Sequence, residues 1–226
     1  MRAEALGKLV DKPVKDTYGR YVGFVVGFSV DTSGALKSGG ADQGNGDFTE
    51  YPSQRIVSTS EGFVLIPAWR VESDALGKEI DGVKRRAKAL QELAREGEIP
   101  RTLFEEMMSK YSDEASKIQG SYKSLAESIA VRIGELEGQG ETLNRFLVDI
   151  KVQFRAGEID EAAFKVAAES CQAMLRRNSQ ETEDLARMLK AATEPLSQQE
   201  RKEEKQQQQK QVAQAPVQKA VQATAE

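Results

Sequence analysis

The strongest constraint on the fold of this chain is an apolar stripe of helical spacing that runs from Phe104 to Phe154. Its steps alternate between three and four residues almost throughout, which is the heptad pattern of a coiled coil. At 1.5 Å per residue such a helix would be roughly 75–80 Å long. A compact domain built from 226 residues contains no such element, so the stripe predicts a helix that pairs along its length. The predicted seam positions are Ile118, Leu125, Ile129, Ile133, Leu136, Leu143, Leu147 and Ile150.

A short motif occurs on each side of this stripe and predicts how the chain reverses. Residues 97–100 (Gly-Glu-Ile-Pro) precede Phe104, and residues 157–160 (Gly-Glu-Ile-Asp) precede Phe164 at the same spacing. Glycine commonly ends a helix, and Pro or Asp commonly begins the next one. We therefore expect a long antiparallel coiled coil of three helices over residues 71–194. Kinks in near-continuous helices would give the same pattern, and the sequence does not separate pairing within one chain from pairing between chains.

The first 75 residues differ from the rest because they hold ten of the 18 glycines and eight of the 14 aromatic residues. Short runs of β-branched and aromatic residues, such as 21–30 and 63–67, predict strands joined by tight turns. Residues 37–47 are nearly all small or polar, so we expect a mobile insertion in a hairpin. About five or six short strands over residues 1–70 predict a small β-barrel, since closure removes exposed edges.

The C-terminal segment, residues 195–226, contains ten glutamines and no aromatic residue. A segment of this composition buries too little apolar surface to offset its ordering entropy, so we expect a disordered tail. Its slightly more apolar end carries Val212, Val217 and Val221. These valines indicate either a peptide that docks on a partner, for example by adding a strand to a sheet edge, or an inert tail. The predicted fold class is thus α+β: a barrel, a coiled coil and a tail.

The composition excludes most enzyme chemistry. The chain has no histidine and a single cysteine, Cys171, which removes the common general base, His-dependent nucleophile systems, disulfide frameworks and multi-cysteine metal sites. We expect a protein that is not an enzyme and needs no cofactor or metal. The N-terminus lacks the apolar region of a signal peptide, and no apolar run reaches ~18 residues, so a cytoplasmic location is expected.

One dense basic run, Lys84, Arg85, Arg86 and Lys88, interrupts the otherwise mixed polar positions. Clustered cations gain affinity for phosphates by releasing counterions, so the run is a candidate contact for nucleic acid or for membrane headgroups. A solvated helix face explains the same residues, and the formal net charge of −4 does not favour nucleic acid. Both interpretations stay open.

The N-terminal motif resembles that of PRC-barrel domains. Its parts are Gly7, Val10 and Val14-Lys15-Asp16, then Gly19 and Gly23 followed by Val25. The later Ile66-Pro67 before a helix also fits that domain. The glycines are explained by tight corners and close strand contacts, and no phosphate-binding loop is indicated because the Lys-Ser/Thr ending is absent.

The order of these parts, over roughly residues 4–194, is similar to the CdvA family of archaeal cell-division proteins. The similarity includes Leu65-Ile66-Pro67 with Trp69 and Val71, the basic run that follows, and both Gly-Glu-Ile turns. It implies a structural protein that forms filaments at mid-cell, associates with the nucleoid and with DNA or membrane, and recruits the ESCRT-III homologue CdvB. The alternative is a PRC-barrel adaptor that associates with nucleic acid in DNA architecture, RNA processing or ribosome maturation.

Overall fold

A computed structural model of the chain describes residues 6–44 and 46–190, which comprise a curled six-stranded half-barrel and three long helices. The strands are β1 (Pro13–Asp16), β2 (Tyr21–Val30), β3 (Leu36–Asp42), β4 (Phe48–Pro52), β5 (Ile56–Thr59) and β6 (Gly62–Leu65). Their order in the sheet is β4-β3-β2-β1-β6-β5, with β1 and β6 parallel and the other neighbours antiparallel. A short 3-10 helix, Ser53–Arg55, connects β4 to β5.

The half-barrel encloses its own apolar core. Inward-facing positions on β2 alternate with exposed ones, and Val25 at the centre of the strand is fully buried. The core residues are Leu6, Leu9, Val14, Val25, Ala41, Tyr51, Ile56, Phe63 and Leu65. At ~25 cal/mol per Å² of apolar surface, burying these side chains is the main term that holds the curled sheet together.

The prediction that residues 37–47 form a mobile insertion is wrong for residues 37–42, which belong to β3. The physical reason is that the small residues make room for aromatic rings on both faces of the strand. A Cβ on Gly39 would lie 2.5 Å from Cε2 of Phe63, and one on Gly40 would lie 2.5 Å from Cε2 of Phe48. Glycine here marks a close approach within a sheet rather than a loop.

The helices are α1 (Ala68–Arg95), α2 (Arg101–Arg155) and α3, which covers residues 161–190 of the described chain. The predicted fold class of a β domain followed by an antiparallel coiled coil is confirmed, and the alternative of kinked continuous helices is excluded by the reversals. The predicted tail, with Val212, Val217 and Val221, lies outside the described residues, and the division into domains stays a prediction.

Both reversals are built in the same way. Gly97 and Gly157 have φ values of +75° and +77°, which L-residues with side chains rarely adopt. The amide of Glu98 donates to the carbonyl of Leu93 at 3.1 Å, and the amide of Glu158 donates to that of Gln153 at 2.9 Å. These are the bonds of a Schellman motif, which satisfies the last carbonyls of a helix. The repeated Gly-Glu-Ile sequence is therefore a repeated helix end.

The long helix α2 is paired within the chain along its length. Helix α1 packs on its N-terminal half and α3 on its C-terminal half, where the rings of Phe154 and Phe164 stack at 4.6 Å. The two shorter helices meet near the middle, where Ser73 Oγ lies 3.0 Å from Met188 Sδ. Four of the eight predicted seam residues are buried here (Ile118, Leu125, Ile129 and Leu136), and four are half-buried (Ile133, Leu143, Leu147 and Ile150).

Candidate functional site

The half-barrel is fastened to the helices by the turn between β1 and β2. Oδ1 of Asp16 accepts hydrogen bonds from the amides of Tyr18 at 2.9 Å and Arg20 at 2.8 Å. Between them, Gly19 has a φ of +78°, which completes a tight turn that favours glycine. This local geometry, encoded by residues 16–20, holds the side chains of Tyr18 and Arg20 toward α3.

A network of charged and polar side chains, which we call the junction clamp, joins this turn to α2 and α3. The guanidinium of Arg20 donates to Oδ2 of Asp16 at 3.2 Å, to Oδ1 of Asn178 at 3.0 Å and to the carboxylate of Glu181. Glu181 also accepts from Nε of Arg132 at 3.0 Å. One carboxylate on α3 thus binds a cation from the half-barrel and a cation from α2.

The surroundings of Glu181 keep it ionised although its side chain is only 7% exposed. Burial by itself would raise the pKa of this carboxyl, but hydrogen bonds and charge from Arg132 and Arg20 outweigh it and lower the pKa below its ordinary value. In return, the hydrogen bond to Glu181 raises the pKa of Arg132. Removing either partner from such a pair leaves a poorly solvated charge, which is the costly step.

A second contact of the same turn reinforces the clamp. The hydroxyl of Tyr18 donates to Oδ2 of Asp184 at 3.2 Å. Burial raises the pKa of Tyr18, and the neighbouring Asp184 carboxylate raises it further. The phenol therefore stays protonated and remains a donor. On the other side of the clamp, Nδ2 of Asn178 donates to Oε1 of Gln139 at 3.3 Å and extends the network along α2.

A cavity of about 360 Å³ adjoins the clamp where the half-barrel meets the three helices. Arg132 and Glu181 form part of its wall together with Trp69 from the first turn of α1. The indole Nε1 of Trp69 is buried and has no hydrogen-bond partner among the residues that the structure describes. Those residues also include no group of three or more His, Cys, Asp or Glu side chains arranged to hold a metal ion.

The predicted basic run does not form one patch. Arg85 and Arg86 line a groove between α1 and α2, whereas Lys84 and Lys88 do not. At 3.6 residues per turn, Arg86 is roughly 160° around the helix from both of these lysines. Lys88 Nζ lies 3.9 Å from Oε1 of Glu92, one turn further along α1. Arg85 lies about 60° from Lys88 and about 100° from Arg86, so the four cations are spread around α1, and of the four only Arg85 and Arg86 line the groove.

The junction clamp was not predicted from the sequence, although α3 carries a signal for it. In the stripe of that helix, Leu175 and Thr182 are separated by seven residues, and the position between them at helical spacing is occupied by a polar residue, Asn178. Asn178 and Glu181 are both buried at 6% exposure, and a buried polar residue on an apolar stripe indicates a specific partner. The partner, Arg20, lies 158 positions away from Asn178, so that no local pattern could identify it.

Exposed apolar side chains form a further feature of the surface. On the half-barrel they include Tyr21, Phe24, Val26, Phe48 and Val57, and on the paired ends of α2 and α3 they are Phe146, Val148, Val152, Val166 and Met174. The described helices include none that is long and apolar enough to cross a bilayer.

The fold thus consists of three antiparallel helices and a β half-barrel that the junction clamp holds against α2 and α3. This arrangement defines a coiled-coil protein with an N-terminal β domain. The chain matches the family model of the CdvA-like coiled-coil domain over residues 68–216, and it belongs to that family. The match begins at the first residue of α1 and covers the described helices. The chain is also 27% identical to cell division protein A of Sulfolobus acidocaldarius over 166 residues, which are 74% of this chain and 69% of that protein.

Proposed function

We propose that the chain is a non-enzymatic structural protein of archaeal cell division that assembles with copies of itself. Membership of the CdvA-like family and the similarity to a protein named cell division protein A support the role in cell division. In this proposal the protein is cytoplasmic and acts at the division site near the nucleoid. It forms oligomers or filaments, associates with DNA or peripherally with membrane, and recruits an ESCRT-III-like CdvB.

The observation that carries self-assembly is the surface of the distal arm, which we define as residues 137–155 of α2 with 161–177 of α3. Two helices share only one seam, and the seam residues Leu143, Leu147 and Ile150 are no more than half-buried there. Val148, Val152 and Val166 are each more than half exposed on other faces. A pair of helices encloses little apolar surface, whereas four helices enclose a core. A second arm would supply the missing helices.

Sedimentation velocity and electron microscopy test this proposal. We expect the purified full chain to form oligomers or filaments, and Val152→Asp to weaken them because a carboxylate in an apolar interface is costly unless paired. Val131→Asp is the matched control, since Val131 is equally exposed on the same helix but lies outside the arm. A monomer at tens of micromolar, or an equal effect of both variants, would count against the arm as the interface.

Recruitment of CdvB is a separate part of the proposal and needs its own experiment. The apolar end of the C-terminal segment, with Val212, Val217 and Val221, is the proposed docking peptide. Replacing these three valines with serine should abolish binding of purified CdvB in a pull-down. The variant with the three serines should still sediment as the parent protein does. Unchanged CdvB binding would show that the contact lies elsewhere.

The groove that holds Arg85 and Arg86 favours a second candidate function, that of an adaptor associated with nucleic acid. A structural polymer that coats DNA would combine both functions. Retention on DNA that depends on salt would support the adaptor, and it can be measured whether or not filaments form.

A further inference from the structure

A charged groove with a volume of about 500 Å³ lies between α1 and α2. Its base is formed by Val83 and Ile118, which are 7% and 8% exposed. Gly82 forms part of one wall and faces open space, since a Cβ placed there would meet no atom within 4 Å. The charged lining residues are Lys78, Arg85, Arg86, Lys117, Glu79 and Glu114.

The cations of this groove lack partners among the described residues. None of Lys78, Arg85, Arg86 and Lys117 forms an ion pair within that part of the chain, although other exposed cations on the same helices do. Lys110, for example, lies 2.8 Å from Glu106. Four unpaired cations against two carboxylates give the groove a local excess of positive charge in a chain whose net charge is −4. Such a site attracts anions.

The arrangement of the groove also limits the chemistry of the anion. Phosphate oxygens suit the cations, because Arg presents a planar fork to them and Lys a point charge. The carboxylates of Glu79 and Glu114 accept hydrogen bonds, so that a ligand with amino or hydroxyl donors is favoured over a bare phosphate. The apolar base formed by Val83 and Ile118 suits a flat apolar ring. The volume lies within the ~300–1,000 Å³ of small-ligand sites.

We propose that this groove binds a phosphate-bearing nucleotide unit, either as a free nucleotide or as part of a nucleic-acid strand. The inference deepens, and rests on, the association with nucleic acid proposed above. It assigns the contact to Lys78 and Lys117 together with Arg85 and Arg86, and it leaves Lys84 and Lys88 outside the site. Lys117 comes from α2, so the site exists only when the two helices are paired.

The test is fluorescence anisotropy of a labelled 20-nucleotide DNA single strand titrated with the full chain. Lys78→Ala/Lys117→Ala removes two charges from the groove, and Lys84→Ala/Lys88→Ala removes two charges outside it. All four lysines are exposed, so both variants should keep the parent helicity by circular dichroism. We expect Lys78→Ala/Lys117→Ala to lower the affinity for the strand about tenfold and to reduce the slope of log K against log salt by about 1.4. The affinity of the control variant, Lys84→Ala/Lys88→Ala, should change less than twofold.

Equal losses of affinity in the two double variants, or no loss of affinity in Lys78→Ala/Lys117→Ala, would overturn the proposal. Competition with ATP separates the two sources of the ligand: displacement of the strand indicates a site for free nucleotides, and no displacement by ATP indicates one that requires a strand. The assay reads binding rather than assembly. Sedimentation of the same variants therefore shows whether the proposed polymer fails together with the groove or independently of it.

Discussion

Arg20 and Glu181 lie 161 positions apart in the sequence, and their ion pair joins the half-barrel to the third helix. Arg132 on α2 binds the same carboxylate at 3.0 Å, so that three segments of the chain meet at one side chain. The pair is partly shielded from water, since the side chain of Arg20 is 24% exposed and that of Glu181 is 7% exposed. Such a clamp fixes the position of the β domain on the coiled coil.

Replacing Glu181 with Gln should destabilise the protein, because Arg20 and Arg132 lose the carboxylate that they share and keep only Asp16 and Glu135, respectively. Breaking a shielded pair costs on the order of 3 kcal/mol when the remaining charge is left unpaired, so a loss of about 1–2 kcal/mol is expected here. Urea unfolding followed by circular dichroism measures the free energy of unfolding. Glu183→Gln is the control, since Glu183 is exposed on the same helix and should change the free energy by less than about 0.5 kcal/mol. Similar values for the two variants would show that the clamp contributes little.

The clamp also predicts how stability depends on acid pH. The pKa of Glu181 in the folded protein lies below its ordinary value of 4.5. Its contribution is therefore fully present above pH 4.5 and is lost as the pH falls through the folded pKa. The urea midpoint of the parent should fall more steeply below pH 4.5 than that of Glu181→Gln, which has no proton to gain at this site. Parallel curves for the two proteins would contradict this.

The apolar core where α1, α2 and α3 meet should be sensitive to a cavity made by truncating one of its leucines. Leu185 is fully buried there beside Leu125 and Ile129. Leu185→Ala should lower the free energy of unfolding by about 3 kcal/mol, since a truncated core leucine loses both its transfer energy and its packing. Leu103→Ala serves as the control, because Leu103 is 42% exposed at the start of α2. A loss below 1 kcal/mol at Leu185 would mean that the three helices do not share this core.

The sequence was sufficient for those parts of the fold that depend on local spacing. The heptad stripe and the paired Gly-Glu-Ile motifs located α2 and both reversals, because a helix end is encoded by neighbouring residues. Residues 37–42 were mistaken for a mobile loop because Gly39 and Gly40 make way for Phe63 and Phe48, and such contacts are not visible in sequence.

The clamp and the groove escaped prediction for a related reason. Each unites residues from separate segments, as when Lys117 of α2 joins Arg85 of α1 in the groove. The basic run was visible, but the groove that Arg85 and Arg86 line also needs a wall from α2, and only the packing of the two helices brings that wall alongside.

A glycine at a helix end and a glycine inside a helix give a final prediction, because their replacement by alanine should have opposite effects on stability. At Gly157 the φ of +77° strains any side chain, so Gly157→Ala should destabilise the protein by about 1 kcal/mol. Gly138 lies inside α2, and a Cβ there would meet no atom within 4 Å. Gly138→Ala should therefore stabilise the protein by about 0.5–1 kcal/mol, because alanine loses less backbone entropy in a helix. Thermal or urea unfolding of both variants measures the difference. If Gly138→Ala is instead destabilising in the assembled protein and stabilising only in dilute monomer, the open space beside Gly138 is filled by another chain.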